Sequence, residues 1–150
     1  MKRLLTTLVI LTGLFAPSLA VGGEGVKIGD LVERGDLYYK KFSNEPFTGK
    51  TTGWYQWTFR RGKQEGPYFT YWFDGQLARK GTYKDGKQEG PTVLYYKNGQ
   101  LAGKGTYKDD KKEGPRVFYK EDGTKDLDGK CCYFHAEGTG TYRYGKKVSD

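Results

Sequence analysis

Gly86-Lys87-Gln88-Glu89-Gly90-Pro91 decides the fold, because the chain writes it three times. It occurs as Gly62-Lys63-Gln64-Glu65-Gly66-Pro67 24 residues earlier and as Asp110-Lys111-Lys112-Glu113-Gly114-Pro115 24 residues later. The halves between the boxes match as well. Asp74-Gly75-Gln76-Leu77-Ala78 echoes Asn98-Gly99-Gln100-Leu101-Ala102, and Gly81-Thr82-Tyr83-Lys84-Asp85 echoes Gly105-Thr106-Tyr107-Lys108-Asp109. A fixed period of this length marks stacked supersecondary units, none of which can bury its apolar face alone.

Each unit holds two turn signals separated by short aromatic and β-branched runs, which predicts two strands per unit. Asp74-Gly75, Asn98-Gly99 and Asp122-Gly123 suit two-residue type I′ turns, whose twist matches that of the flanking strands. The other turn, Asp85 to Pro91, reads as longer, with Pro91 at the first position of a strand, where no ladder donor is lost. The units then run on as an elongated, single-layer antiparallel meander, an all-β fold. Apart from the N-terminus, no stretch carries apolar residues at helical spacing over three turns. Val26 to Tyr39 could hold only a short helix, and a loop with an early strand is expected there.

Aligned by the period, Phe69, Val93 and Val117 share one strand position, and Tyr71, Tyr95 and Tyr119 share the next position on the same face. This face reads as apolar throughout, the one that closes the sheet. The opposite face carries Tyr68, Thr92 and Arg116, then Thr70, Leu94 and Phe118, then Trp72, Tyr96 and Lys120. It varies between copies and reads as the face free to bind.

The pattern extends weakly beyond the boxes. Thr52 to Arg61 aligns with the second half of a unit, Phe59 standing where Tyr83 stands. Gly140-Thr141-Tyr142 resembles Gly105-Thr106-Tyr107, but about eleven extra residues intervene near Cys131 to Gly138. Residues 21–50 are therefore expected to form a lead-in and cap, 51–115 the repeats, and 116–150 an interrupted last unit and cap.

Composition agrees with a thin core: 35% hydrophobic residues, 16% aromatic and 23 glycines in 150 residues. Met1-Lys2-Arg3, an uncharged run from Leu4 to Leu14 and the small residues of Pro17-Ser18-Leu19-Ala20 read as a signal-peptide helix over residues 1–20, cleaved after Ala20. The run is short for a bilayer span. Export to the periplasm or beyond follows. Removing those residues leaves 24 basic and 18 acidic side chains, a net charge of +6.

The boxes, preceded by Gly-x-Tyr-Lys-x-Gly and followed by an aromatic strand, resemble the bacterial variant of the MORN repeat. Leu37-Tyr38-Tyr39-Lys40-Lys41-Phe42 and Pro46-Phe47-Thr48-Gly49-Lys50 look like the lead-in of the YwqK-like family of MORN-type proteins, often labelled antitoxins. The resemblance spans roughly residues 36–147. It implies a stack of hairpins whose aromatic face meets a partner, and MORN arrays are associated with phospholipids and with protein scaffolding. Asp110 departs from the glycine at 86, which puts the last tight turn in question. An antitoxin label conflicts with export, unless the role is periplasmic immunity.

Little in the chain points to catalysis. His135 is the sole histidine, and no nucleophile, base and orienting acid stand at workable spacings. Cys131, Cys132 and His135 fall short of a four-ligand zinc set, so neither metal nor cofactor is expected. By period Cys131 takes the slot of Tyr83 and Tyr107, as strand filler, with a vicinal disulfide as the alternative. The pairs Lys63/Glu65, Lys87/Glu89 and Lys111/Glu113 read as solvated turn residues rather than a partner-reading ladder. Gly66, Pro67, Tyr71, Gly90, Pro91, Tyr95, Gly114, Pro115 and Tyr119 are assigned to the repeat itself.

What remains for function is Trp54, Trp57, Tyr68, Trp72, Tyr96 and Lys120, an aromatic set ending in a cation, the chemistry of protein hot spots and sugar platforms. The expectation is a non-catalytic binding or scaffold protein with a protein partner, a toxin among the candidates. Anionic phospholipid or glycan is the alternative; export disfavours nucleic acid. Open strand edges would allow a homodimer.

Overall fold

The computed structural model describes residues 25–127 and 139–150. The expected signal helix and the trio Cys131, Cys132 and His135 lie outside the described residues. Within them the chain is all-β, with one 3-10 turn at Ile28–Asp30. The strands are β1 (Val26–Lys27), β2 (Leu31–Arg34), β3 (Leu37–Lys40), β4 (Gly49–Thr52), β5 (Tyr55–Gln56), β6 (Thr58–Arg60), β7 (Lys63–Gln64) and β8 (Gly66–Tyr71). They continue as β9 (Leu77–Lys84), β10 (Lys87–Gln88), β11 (Gly90–Tyr95), β12 (Leu101–Lys108), β13 (Lys111–Phe118), β14 (Gly140–Arg143) and β15 (Lys146–Ser149).

The main sheet runs β15-β14-β13-β12-β11-β9-β8-β5, with β10 alongside β9. It is an antiparallel meander of hairpins, as the period requires. A smaller sheet, β1-β4-β6-β7, and the β2-β3 hairpin stand at the N-terminal end, where β1 and β4 form a parallel pair.

Register makes the repeat visible across the whole array. Phe59 pairs with Gln64, Tyr83 with Gln88, Tyr107 with Lys112 and Tyr142 with Lys147. On the other side Gly66 pairs with Tyr83, Gly90 with Tyr107 and Gly114 with Tyr142. The slot that period alone allots to Cys131 is thus filled by Tyr142, because the insertion delays the strand without changing its register.

The two turns are exchanged relative to the sequence reading. At Asp74-Gly75 only the glycine has positive φ (+85°), and the Gly75 N–H bonds to the Trp72 carbonyl at 2.9 Å while the Trp72 N–H bonds to that of Gln76 at 2.8 Å. This is a three-residue loop, closed by the Asp74 carboxylate accepting the Gln76 N–H at 3.0 Å. Loops at Asn98-Gly99 and Asp122-Gly123 repeat it. The tight turns with positive φ at both central residues are Arg61-Gly62, Asp85-Gly86, Asp109-Asp110 and Tyr144-Gly145. Asp-Gly serves both geometries, since aspartate can bond the backbone two residues on or tolerate positive φ itself. What looked like a long turn through Pro91 is a tight turn followed at once by a strand, which bends at Glu89-Gly90, where Gly90 has φ +81°.

The turns are tied to one another. Glu65, Glu89 and Glu113 accept the first N–H of the following turn, at Asp85 (2.8 Å), Asp109 (3.0 Å) and Tyr144 (3.0 Å). The second N–H, at Gly86, Asp110 and Gly145, bonds to the carbonyl of Gln64, Gln88 and Lys112. These glutamates are therefore clamps between units rather than idle solvated residues. Asp110 keeps the tight turn at φ +64°, and its carboxylate accepts the Gln88 N–H at 2.7 Å.

The closed face is the reverse of the one expected. Tyr68, Thr92 and Arg116 are 2%, 2% and 1% exposed, whereas Phe69, Val93 and Val117 are half-buried. The neighbouring strands explain it. Phe69, Lys80, Val93, Lys104 and Val117 succeed one another across the sheet, so lysines interrupt the apolar row. Opposite Tyr68, Thr92 and Arg116 stand Gly81, Gly105 and Gly140. A Cβ at Gly81 would lie 2.8 Å from the Tyr68 ring, and one at Gly105 2.7 Å from Arg116 Cγ, so these glycines let large side chains lie across the inner face.

Both ends differ from the middle. At the N-terminal end Leu31, Phe47 and Phe59 form an apolar cluster, joined by Val26, Ile28, Tyr38 and Trp57. There Thr48 Oγ1 accepts the Arg61 N–H at 2.8 Å, replacing the glutamate clamp, and the Phe47 carbonyl accepts that of Gly62 at 2.7 Å.

Candidate functional site: an aromatic groove on the inner face

The inner face opens, toward the three-residue loops, into a groove of about 540 Å³. Its walls carry Trp54, Tyr55, Trp57, Tyr68, Trp72, Phe73, Tyr83, Tyr95 and Tyr96, with Arg79 and Glu121 as the charged groups. The chain's three tryptophans all line it. Of the residues that the sequence singles out for binding, the fold brings together Trp54, Trp57, Tyr68, Trp72 and Tyr96. Lys120 is not among the lining side chains; Glu121 stands there instead. The Lys120 backbone closes the loop to Thr124.

The groove is organised from its floor. Tyr68 packs on Tyr83 with centroids 5.0 Å apart, and Trp57 reaches Tyr83 at 6.2 Å. The Arg79 guanidinium lies over the Tyr68 ring at 5.6 Å and donates to Gln88 Oε1 at 3.0 Å, while Gln88 Nε2 donates to the Tyr83 hydroxyl at 3.1 Å. Burial raises the Tyr68 hydroxyl above the ordinary tyrosine range, with the nearby Arg79 cation opposing the shift. The hydroxyl therefore stays neutral through the physiological range.

Two wall residues also join the units. Trp72 Nε1 donates to the Tyr95 carbonyl at 3.3 Å, and the Tyr96 hydroxyl donates to that of Tyr119 at 2.6 Å. These are equivalent bonds one period apart, so each wall residue is fixed by the unit that follows it. The rim is less constrained. Phe73 is 80% and Trp54 51% exposed, and the two stack edge to face at 4.6 Å. Phe73, Tyr55 and Glu121 escaped the sequence reading because each falls in or beside a turn, outside the strand alternation used to assign faces.

The repeating unit behind this groove runs from one tight turn to the next. A family model described as the MORN repeat variant matches residues 64–85 and 88–109, one such unit each. These two units are MORN repeats. MORN repeats are binding and scaffold motifs and not catalytic ones. No curated protein matches the chain. Among the described residues, no group of three or more histidine, cysteine, aspartate or glutamate side chains is placed to hold a metal ion.

Proposed function

We propose that the protein is an exported, non-catalytic binding protein that holds an extended segment of a partner protein in the aromatic groove of its MORN array. The observation that carries this reading is the convergence of five separately spaced aromatic residues, Trp54, Trp57, Tyr68, Trp72 and Tyr96, on one cavity. A cavity of this size with mostly aromatic walls and a few polar groups has the chemistry of a recognition site. Large, rigid aromatic anchors are also what concentrates binding energy at protein interfaces. An immunity-like pairing, in which the held segment belongs to a toxin, is the specific form of this reading that export accommodates.

Photo-crosslinking tests the reading. A photoreactive phenylalanine analogue at Phe73, on the groove rim, is expected to capture one dominant protein from an envelope extract. The same analogue at Thr106, exposed on the outer face, should not. Equal capture from both positions, or none at Phe73, would count against the groove as the binding site.

A further inference from the structure

The tight-turn edge of the sheet carries a feature that folding does not require. In each of four successive hairpins the residues flanking the tight turn are both cationic and directly opposed. They are Arg60 with Lys63, Lys84 with Lys87, Lys108 with Lys111 and Arg143 with Lys146. All eight are exposed. Like charges directly opposed across a strand pair destabilise it, so each rung works against the hairpin that carries it; the first stands on the smaller sheet and the other three on the main one. Lys80 and Lys104 extend the basic character over the outer face.

Four of the acidic groups at this edge accept backbone N–H groups, and one offsets a rung cation. Glu65, Glu89 and Glu113 accept turn N–H groups, Asp110 accepts the Gln88 N–H, and Asp109 lies 3.5 Å from the Lys87 ammonium. At the first turn Arg60, Arg61, Lys63, Glu65 and Asp85 surround a cleft of about 400 Å³.

We propose that this ladder of cations is a docking surface for an extended, acidic polypeptide segment, separate from the aromatic groove and independent of what the groove holds. Neighbouring strands lie about 4.8 Å apart, so rungs one unit apart recur every ~10 Å. An extended chain in the polyproline II conformation rises about 3.1 Å per residue and turns once every three residues, which brings every third side chain to one face at roughly that interval. Six of the eight rung residues are lysines, point charges that suit single carboxylates; forked recognition of phosphate would favour arginine. Tyr144 is the one aromatic residue among the four turns and their flanking pairs. That edge therefore lacks the apolar residues a bilayer surface would take up and the stacking platforms a single-stranded nucleic acid would use.

The test uses the whole chain and a fluorescein-labelled polyglutamate of about ten residues, long enough to span the rungs at that rise. Fluorescence anisotropy should show saturable binding at about 20 mM salt that is lost at about 300 mM, where screening is much shorter in range. The variant K84Q/K87Q/K108Q/K111Q should bind at least about tenfold more weakly, yet melt no lower than the parent, because opposed like charges are gone. If it does melt lower, K84Q/K87Q and K108Q/K111Q made separately must each weaken binding. Absent binding, undiminished affinity in these variants, or tighter binding of phosphatidylglycerol vesicles or oligo-dT than of the peptide would overturn the proposal.

Discussion

The Glu113 carboxylate accepts the Tyr144 backbone N–H at 3.0 Å across 31 residues of sequence. In the two preceding units the equivalent bonds, Glu65 to Asp85 and Glu89 to Asp109, cross 20 residues. The difference of eleven is the number by which Tyr142 overshoots the period. The clamp therefore survives the insertion, and the last hairpin docks on the array as a regular unit would.

Removing a clamp leaves a turn N–H with water as its partner. E89A is expected to lower unfolding stability by about 1 kcal/mol, less than the ~1.5–3 kcal/mol of a shielded hydrogen bond to a charged group because this one is exposed to water, and E89Q by roughly half that. Urea denaturation followed by circular dichroism measures both. Equal stability in E89A and the parent would mean that the clamp is incidental.

Gly105 faces Arg116 so closely that a Cβ would lie 2.7 Å from Cγ and 3.2 Å from Cζ. Arg116 is held among aromatic rings, 4.8 Å from that of Tyr107 and 5.7 Å from that of Tyr142, so it has little room to retreat. G105A is expected to cost about 1–3 kcal/mol, as overpacking of an ordered interior does. Calorimetry of G105A beside G29A, at an exposed glycine with no positive φ and open space around an added Cβ, separates the packing effect from the general cost of replacing a glycine.

Burial raises the Tyr68 hydroxyl, and burial with the Glu33 carboxylate raises that of Tyr38. A tyrosine raised in the folded state stabilises it fully below its ordinary value of 10.0. Above that value the unfolded chain ionises first, so stability falls as pH climbs toward the folded value. Melting temperature should thus decline on going from about pH 9 to pH 11, and Y68F should decline less. A parallel decline in Y68F and the parent would show that Tyr68 is not the group responsible.

The repeat, its hairpins and its extension to Phe59 and Tyr142 were legible in the sequence because period fixes register, and register fixes which residues meet. The outward-facing strand partners were harder to read. Judging the closed face from Phe69, Val93 and Val117 alone leaves out Lys80 and Lys104, which stand between them, and Gly81 and Gly105, which open space on the other side. The turns were exchanged because Asp-Gly supports both a tight turn and an aspartate-closed loop, and only the hydrogen bonds of Trp72 and Gly75 tell them apart. The glutamate clamps carry no local signal, since their acceptors bond to a backbone N–H of the next unit. Five of the six residues singled out for binding meet in the groove, since alternation placed Tyr68, Trp72 and Tyr96 together even where it misjudged burial. Lys120 stays apart because it stands in a loop closed on Thr124.

Tryptophan emission reports on the groove itself, because all three tryptophans line it. A synthetic peptide spanning the segment crosslinked through Phe73, labelled so that its binding is followed separately by anisotropy, is titrated into the whole chain under excitation selective for tryptophan. Groove binding predicts a saturable blue shift that tracks the anisotropy and weakens about tenfold in F73S, consistent with loss of an aromatic rim anchor. Full binding by anisotropy with unshifted emission, and with F73S indistinguishable from the parent, would place the partner outside the groove.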